Sequence, residues 1–329
     1  SGNANTCNAD GEEKAWRMCE IAGKALNIDP SDVIVASTGV IGQVLPIEPI
    51  EETAPLLASS LKGDGSELAA KAIMTTDTVV KEAAAEFTVG GKTVRLGGIC
   101  KGSGMIHPNM CTMLCFLTTD AAIAAPVLDK ALRGVVAETF NMVSIDGDTS
   151  TNDTITVMAN GLAENPEILA DTPEYEEFTQ ALRAICTDLA RKMAKDGEGA
   201  TKLLVCKVTG AANLTDARTV AKSVICSSLL KAAMFGADAN WGRVLCAIGY
   251  AGTNTDVNRV DVSFRSKAGT IDVCKNGAGI PFSEEKAKEI LTQDEIDILV
   301  TLGDGDASAE AYGCDLTYDY VKINGDYRT

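Results

Sequence analysis

The sequence predicts a mixed α/β (α+β) fold, and three observations carry the prediction. Stretches of helical hydrophobic period alternate with short β-rich runs along the whole chain, with no fixed repeat. Hydrophobic residues make up 46% of the 329 positions, enough for a large buried core. No apolar run approaches the length that spans a bilayer.

Taken in order, residues 11–26 form the first predicted helix, with Glu12 and Glu13 in its first turn, where the helix dipole favours them. Asp29-Pro30-Ser31 reads as a turn, and residues 33–38 as a short strand ending on Thr38-Gly39, a tip that presents a hydroxyl and a backbone N–H. Residues 51–61 and 66–72 read as helices. Residues 86–96 read as a hairpin around Gly90-Gly91, a pair suited to a two-residue turn, and its second strand leads into the loop Lys101-Gly-Ser-Gly104. An apolar run, 113–117, precedes a helix over 124–140 and a strand into 145–153. The remainder reads as a long amphipathic helix, 175–195, a strand, 203–208, a helix, 216–235, strand-like stretches at 244–250 and 257–264, a short helix, 283–291, and final strands. The opening Ser1-Gly-Asn-Ala-Asn has no signal-peptide layout and reads like the middle of a loop, so an upstream segment is expected.

Composition narrows the function. A net charge of −17 disfavours nucleic-acid phosphates and anionic membranes as partners. Eleven cysteines, with no C-x-x-C pair and several in apolar surroundings, suit reduced thiols used as small core residues. The expected compartment is therefore reducing, the cytoplasm. The one histidine, His107, excludes multi-histidine metal sites and, followed by Pro108, reads as structural. Asp146, Asp148, Ser150 and Asn152 alternate as calcium ligands do, but the sixth loop position is Thr151 and the twelfth is Val157, so no metal site is expected there. No phosphate-cradling loop or dinucleotide fingerprint appears, which argues against ATP or NAD chemistry and for no cofactor.

The candidate chemistry centres on Thr112, at the junction between the glycine-rich loop and the apolar run. A threonine hydroxyl needs an adjacent base, and its own α-amino group serves once the preceding peptide bond is cut. That amine titrates at about 7.7–8.0 when unperturbed, so part of it is free base near neutrality. Gly102 and Gly104 can take backbone angles closed to other residues, as a strained, cleavable bond requires. Alone, a threonine opening a buried strand is more often packing.

Eight segments taken together say more. Ser37-Thr-Gly-Val-Ile-Gly42, Met74-Thr-Thr-Asp-Thr78, Lys101-Gly-Ser-Gly104, Met110-Cys-Thr-Met-Leu114, Asp146-Gly-Asp-Thr-Ser-Thr-Asn-Asp153, Asp196-Gly-Glu-Gly-Ala-Thr-Lys202, Asn240-Trp-Gly-Arg243 and Ile323-Asn-Gly-Asp-Tyr-Arg-Thr329 resemble, in this order, the ornithine acetyltransferase family, the glutamate N-acetyltransferases of arginine biosynthesis. The resemblance covers the whole chain. It implies an αββα-type sandwich of the N-terminal-nucleophile kind, and a precursor that cuts itself between Cys111 and Thr112. Residues 1–111 would form an α chain and residues 112–329 a β chain, whose last stretch of about 120 residues forms a smaller C-terminal domain. It further implies Thr112 as the nucleophile, Thr38 and Gly39 as the oxyanion-stabilising pair, and Thr75, Lys101, Thr112, Glu198, Asn324 and Thr329 as substrate-binding positions. The implied substrates are N-acetylornithine and glutamate, with acetyl-CoA as a second donor left open, and the implied assembly is α2β2.

Taken singly, the same residues have plainer readings: Thr75 caps a turn, Lys101 is a solvated charge, Glu198 caps a loop, and the tail frays. Two features depart from the family pattern. The family's precursors begin several dozen residues before Ser1, and alanine usually precedes the nucleophile where this chain has Cys111. Two other functions stay open: an N-terminal-nucleophile amidohydrolase or aminopeptidase with water as acceptor, and an uncut, non-catalytic binding protein.

Overall fold

Helix α1 (Gly11–Leu26) begins the ordered elements, with Glu12 and Glu13 in its first turn as the sequence predicts, and a left-handed Asn27 closes it. The computed structural model describes residues 3–110 and 112–326. Residues 33–38 form no strand; among the described residues their β-branched side chains find no partner strand, and the pairing nearby is an isolated bridge between Asn3 and Val40. Helices α2 (Glu48–Ser59) and α3 (Ser66–Ala72) follow.

Strands β1 (Lys81–Val89) and β2 (Lys92–Lys101) are the hairpin expected around Gly90-Gly91. Both glycines have positive φ, +54° and +79°, which the two-residue turn demands and other residues resist. Strand β3 (Leu114–Thr119) pairs antiparallel with β2, and after α4 (Ala125–Val136) and β4 (Val143–Ser144) the chain returns as β5 (Thr154–Ala159), parallel to β3. A parallel neighbour requires such a crossover. The result is a four-stranded mixed sheet in the order β1-β2-β3-β5.

Helix α5 (Pro173–Lys195) has strong start signals: Thr172 caps the N–H of Tyr175, Pro173 opens the first turn, and Glu174 and Glu176 meet the dipole. Phe178, Leu182, Ile185, Leu189 and Met193 recur at helical spacing and are all buried. That face lets α5 lie against β1 and β2 of the first sheet and against β6 (Leu203–Ala211) of the second.

Beyond β6 the helical run predicted over 216–235 divides into α6 (Leu214–Cys226) and α7 (Ser228–Phe235). Ser227 is extended there and caps the N–H of Leu230, restarting the helix. The stretch read as strand over 244–250 is helix α8 (Trp241–Gly249): Asn240 caps it, and Val244, Ala247 and Ile248 bury one face. The hairpin β7 (Asp261–Ser266) and β8 (Gly269–Lys275), the short β9 (Ala278–Gly279), α9 (Glu284–Leu291), β10 (Glu295–Thr301), β11 (Ala307–Cys314) and α10 (Tyr318–Asp326) complete the chain. The second sheet is seven-stranded and mixed, in the order β4-β11-β6-β10-β7-β8-β9. The mixed class predicted from the sequence is the observed one. Side chains from both sheets and from α4 to α9 join one continuous core, and all ten cysteines among the described residues are free thiols, most of them in that core.

Candidate active site

Thr112 sits two residues before β3, at the end of the loop that follows β2. The loop has an unusual backbone: Gly102 has φ +153°, and Met105 and Met110, neither a glycine, lie in the left-handed region at +51° and +44°. Left-handed residues of that kind cost about 1–3 kcal/mol each and persist only where the surroundings hold them. Asp146 does the holding, its carboxylate accepting from the N–H groups of Met105 at 2.7 Å and Ile106 at 3.0 Å. The acidic cluster that resembles a calcium loop is thus a backbone clamp on the glycine-rich loop. Held this way, the loop brings the carbonyl oxygens of Gly104 and Met105 each to 2.7 Å from Thr112 Oγ1, where either accepts the hydroxyl proton.

The nitrogen of Thr112 donates to Asp153 Oδ1, which also accepts from the N–H of Met113 at 2.9 Å. On the other side, the Thr112 carbonyl oxygen accepts from Thr38 Oγ1 at 3.3 Å and from Lys101 Nζ at 3.2 Å. Thr38 arrives on a loop, not a strand tip, and the turn after it uses Gly39 at φ +119°.

Lys101 is 2% exposed, at the end of β2. Burial lowers its pKa, and the carboxylates of Asp77 and Glu198 resist that fall. Asp77 is the hub beneath it: Oδ1 accepts from Lys81 Nζ at 2.6 Å and from the N–H of Gly102 at 2.7 Å, while Oδ2 accepts from the N–H of Thr75 at 3.2 Å and lies 3.8 Å from Lys101 Nζ. Burial works to raise the Asp77 pKa, but the lysine charges and these hydrogen bonds outweigh it and hold the carboxyl below its ordinary value. Lys81 extends the network to Asp196 Oδ2 at 2.6 Å, and Asp196 accepts from the N–H of Thr78 at 3.0 Å.

Glu198 follows α5 in a glycine-flanked turn, with its N–H on Ser103 O at 2.8 Å. Asn324 on α10 donates to Glu198 Oε2 at 2.7 Å. Gly199, at φ +68°, lets the start of α10 approach: a Cβ there would stand 2.6 Å from the nitrogen of Tyr320.

These contacts close a cleft of about 100 Å³ lined by Thr38, Gly39, Thr75, Lys101, Thr112, Glu198 and Asn324, with Thr76, Gly104 and Met105 completing its wall. All of the site residues predicted from the sequence that fall within the described residues line it; Cys111 and Thr329 lie outside those residues. Its chemistry is a hydroxyl flanked by a cation and an anion, with hydroxyl and amide donors around them. His107 lies off the cleft, with Nδ1 3.1 Å from Ser144 Oγ. Burial and the nearby Lys222 charge push its pKa down to about 4, so it is neutral at physiological pH.

Asp77, Lys81, Asp146, Asp153 and Asp196 support the cleft without having been singled out by sequence reasoning as site residues. Each aspartate lies inside one of the eight segments, and that is the only signal the sequence holds for them.

A family model described as the ArgJ family matches residues 1–329. The Arginine biosynthesis bifunctional protein ArgJ of Caldanaerobacter subterraneus subsp. tengcongensis is 50% identical over 330 residues, covering 100% of this chain and 82% of that protein. The protein of the same name from Bacillus subtilis (strain 168) is 48% identical over 327 residues, covering 99% of this chain and 79% of that protein. Among solved structures, Arginine biosynthesis bifunctional protein argJ from Bacillus halodurans aligns with a TM-score of 0.62 at 47% identity, over 64% of this chain and 98% of that one.

Proposed function

The chain belongs to the ArgJ family of arginine-biosynthesis enzymes, and from that premise we propose that it moves an acetyl group from N2-acetyl-L-ornithine to L-glutamate. The products are L-ornithine and N-acetyl-L-glutamate. The observation that carries the reading is the convergence of Thr112, Thr38, Lys101, Glu198 and Asn324, from stretches far apart in the chain, on one small cleft.

The chain first cuts itself between Cys111 and Thr112, and the transfer reaction that follows is ping-pong. The α-amine so freed takes the hydroxyl proton as Thr112 Oγ1 attacks the acetyl carbonyl of N-acetylornithine. An oxygen–carbon bond forms, the amide carbon–nitrogen bond breaks, and the proton passes to the departing ornithine nitrogen. Glutamate then enters as its free amine, attacks the acetyl-threonine, and the same steps run in reverse. Thr38 and Gly39 meet the charge that develops on the carbonyl oxygen, where one well-placed donor is worth about 10²–10³ in rate. Thr38 Oγ1 already donates to the Thr112 carbonyl oxygen at 3.3 Å, which keeps its hydroxyl beside the attacking residue.

N-acetylornithine carries a carboxylate, an amide and a distal ammonium. Lys101 suits the carboxylate, and Glu198, oriented by Asn324, suits the ammonium; Thr75 and Thr329 are the remaining binding positions. The exchange of one amide for another is nearly isoenergetic, so no cofactor drives it. Acetyl-CoA in place of N-acetylornithine would make the enzyme bifunctional, the word its relatives' names carry. Residues 1–111 and 112–329 are then the α and β chains of an α2β2 enzyme working in the cytoplasm, the last part of the β chain forming a smaller domain. No helix among the described residues is long and apolar enough to cross a membrane.

Incubation with N-acetylornithine, with and without glutamate, tests the reading. N-acetylglutamate forms only when both are present, and mass spectrometry finds a second chain beginning at Thr112. Thr112→Ala stays one chain and transfers nothing. Acetate released equally in both incubations makes the protein a hydrolase instead.

A further inference from the structure

We propose that Asp153 is a catalytic residue, the anionic partner of the Thr112 nitrogen both when that nitrogen is the leaving group of self-cleavage and when it is the base of turnover. The inference rests on the reading of Thr112 as a self-freed nucleophile and adds a second group to it.

Two observations carry it. Asp153 Oδ1 accepts directly from the Thr112 nitrogen, the one atom that takes up the hydroxyl proton in both reactions. Its other oxygen, Oδ2, is buried and has no hydrogen-bond partner among the described residues, in a residue only 9% exposed. A buried, unpartnered carboxylate oxygen is costly and rarely kept without a use. An amide nitrogen has one hydrogen, which Oδ1 takes. Once freed and protonated, the same nitrogen has three, and the spare acceptor then has donors to meet.

The proton balance is the same in both steps. In self-cleavage Thr112 Oγ1 attacks the Cys111 carbonyl carbon, its proton moves to the Thr112 nitrogen, the oxygen–carbon bond forms and the carbon–nitrogen bond breaks; water then hydrolyses the ester. In turnover the hydroxyl proton moves to the free amine as the acetyl carbon is attacked. In self-cleavage the nitrogen is positive in the tetrahedral intermediate and leaves as a neutral amine, in turnover it becomes an ammonium, and in both the ionised Asp153 offsets the charge without itself gaining or losing a proton. Burial raises the Asp153 pKa, while the N–H groups of Met113, Thr112 and Ser150 and the Lys101 charge oppose that rise. The charged groups packed around the pair are Lys101 from β2, Lys222 from α6 and, through Lys101, Asp77 from the segment before β1 and Glu198 from the turn after α5. The two lysines bias the amine towards its free-base form, and Asp153 is the group in direct contact that biases it the other way.

The test compares Asp153→Asn, Asp153→Glu and Thr112→Ala in the full chain, reading the fraction split at 111–112 against time, the acetyl-transfer rate per processed molecule against pH, and the melting temperature. Asparagine keeps an oxygen for the Met113 N–H and loses the charge. Processing is expected to slow by about 10²-fold, and the acid limb of kcat/KM in the processed fraction to move down by about 1–3 pH units, because an amine without its anionic partner gives up its proton more readily. Glutamate keeps the charge and restores part of both, which a purely structural Asp153 would not require. Asp153→Asn that processes and titrates like the wild type, while Thr112→Ala stays whole, overturns the role of Asp153 and leaves Thr112 standing; Thr112→Ala that still splits or transfers overturns the reading beneath it. Should Asp153→Asn fail to melt cooperatively, Asp153→Glu decides alone: wild-type processing with the carboxylate displaced by a methylene refutes the inference, and slowed processing supports it.

Discussion

Gly104 separates the cleft from the fold, and replacing it with alanine perturbs the one while sparing the other. Its backbone is outside the left-handed region, so alanine meets no conformational penalty, but the added Cβ would stand 2.4 Å from the Glu198 carboxyl carbon and from both its oxygens. Ordinary contact requires about 1 Å more. The Glu198 side chain is the flexible partner and gives way, losing its 2.7 Å hydrogen bond from Asn324. A misplacement of about 1 Å at a binding group costs on the order of 10²-fold, or about 2.7 kcal/mol of transition-state stabilisation. Gly104→Ala is therefore expected to process at 111–112 normally, to melt within a few degrees of the wild type, and to lose about 10²-fold in kcat/KM for transfer from N-acetylornithine. Steady-state assays of N-acetylglutamate, with calorimetry and mass spectrometry on the same sample, measure all three. A double-mutant cycle locates the cause: with Glu198→Ala the collision is gone, and adding Gly104→Ala should cost no more than about threefold. Wild-type transfer by Gly104→Ala, or losses that simply multiply in the double variant, would refute the reasoning.

Two further outcomes follow from buried charge. Lys81→Met leaves the Asp77 and Asp196 carboxylates buried without their shared cation, and denaturant unfolding should show a loss of about 3–5 kcal/mol; a loss below 1 kcal/mol would show that the remaining donors suffice. His107, the chain's one histidine, should give a single imidazole proton resonance titrating near pH 4 and unmoved between pH 5.5 and 8. Because its folded pKa lies below its unfolded value of about 6.5, the stability it contributes is present above that value and lost as pH falls through the folded one. The decline therefore spans pH 6.5 to about 4.

Local signals were read correctly where they were complete. Thr172-Pro173 with two glutamates and a repeating apolar face fixes α5, and Gly90-Gly91 fixes the hairpin that ends on Lys101. Misreadings fall where two periods fit one short apolar run. Residues 244–250 suit a strand by composition, but Asn240 three residues before Arg243 is a helix cap, and that signal decides. Residues 33–38 have strand composition and no strand to pair with, a fact about the rest of the fold that no local window contains. The cleft shows the same division. Thr112, Lys101 and Glu198 stand out through motifs, whereas the tasks of Asp77 and Asp153 depend on partners up to 41 residues away. An aspartate in a sequence does not say which N–H it will meet.

The site draws on both sides of the proposed cut, and the architecture accounts for how a cut chain keeps it. Thr38, Gly39, Thr75 and Lys101 precede residue 111, while Thr112, Glu198 and Asn324 follow it. Strands β2 and β3 flank the bond and are paired in register from Leu96 with Thr119 to Lys101 with Leu114. Helix α5 and the Lys81 to Asp196 pair fasten the first segment to the second at further points. Breaking one peptide bond in the loop between these strands removes none of those contacts. Thr112 itself stays fixed through its hydroxyl on the loop carbonyls and through Asp153, which holds the next N–H as well. Cleavage then changes the chemistry of one nitrogen, from amide to amine, inside a cleft whose walls are already in place.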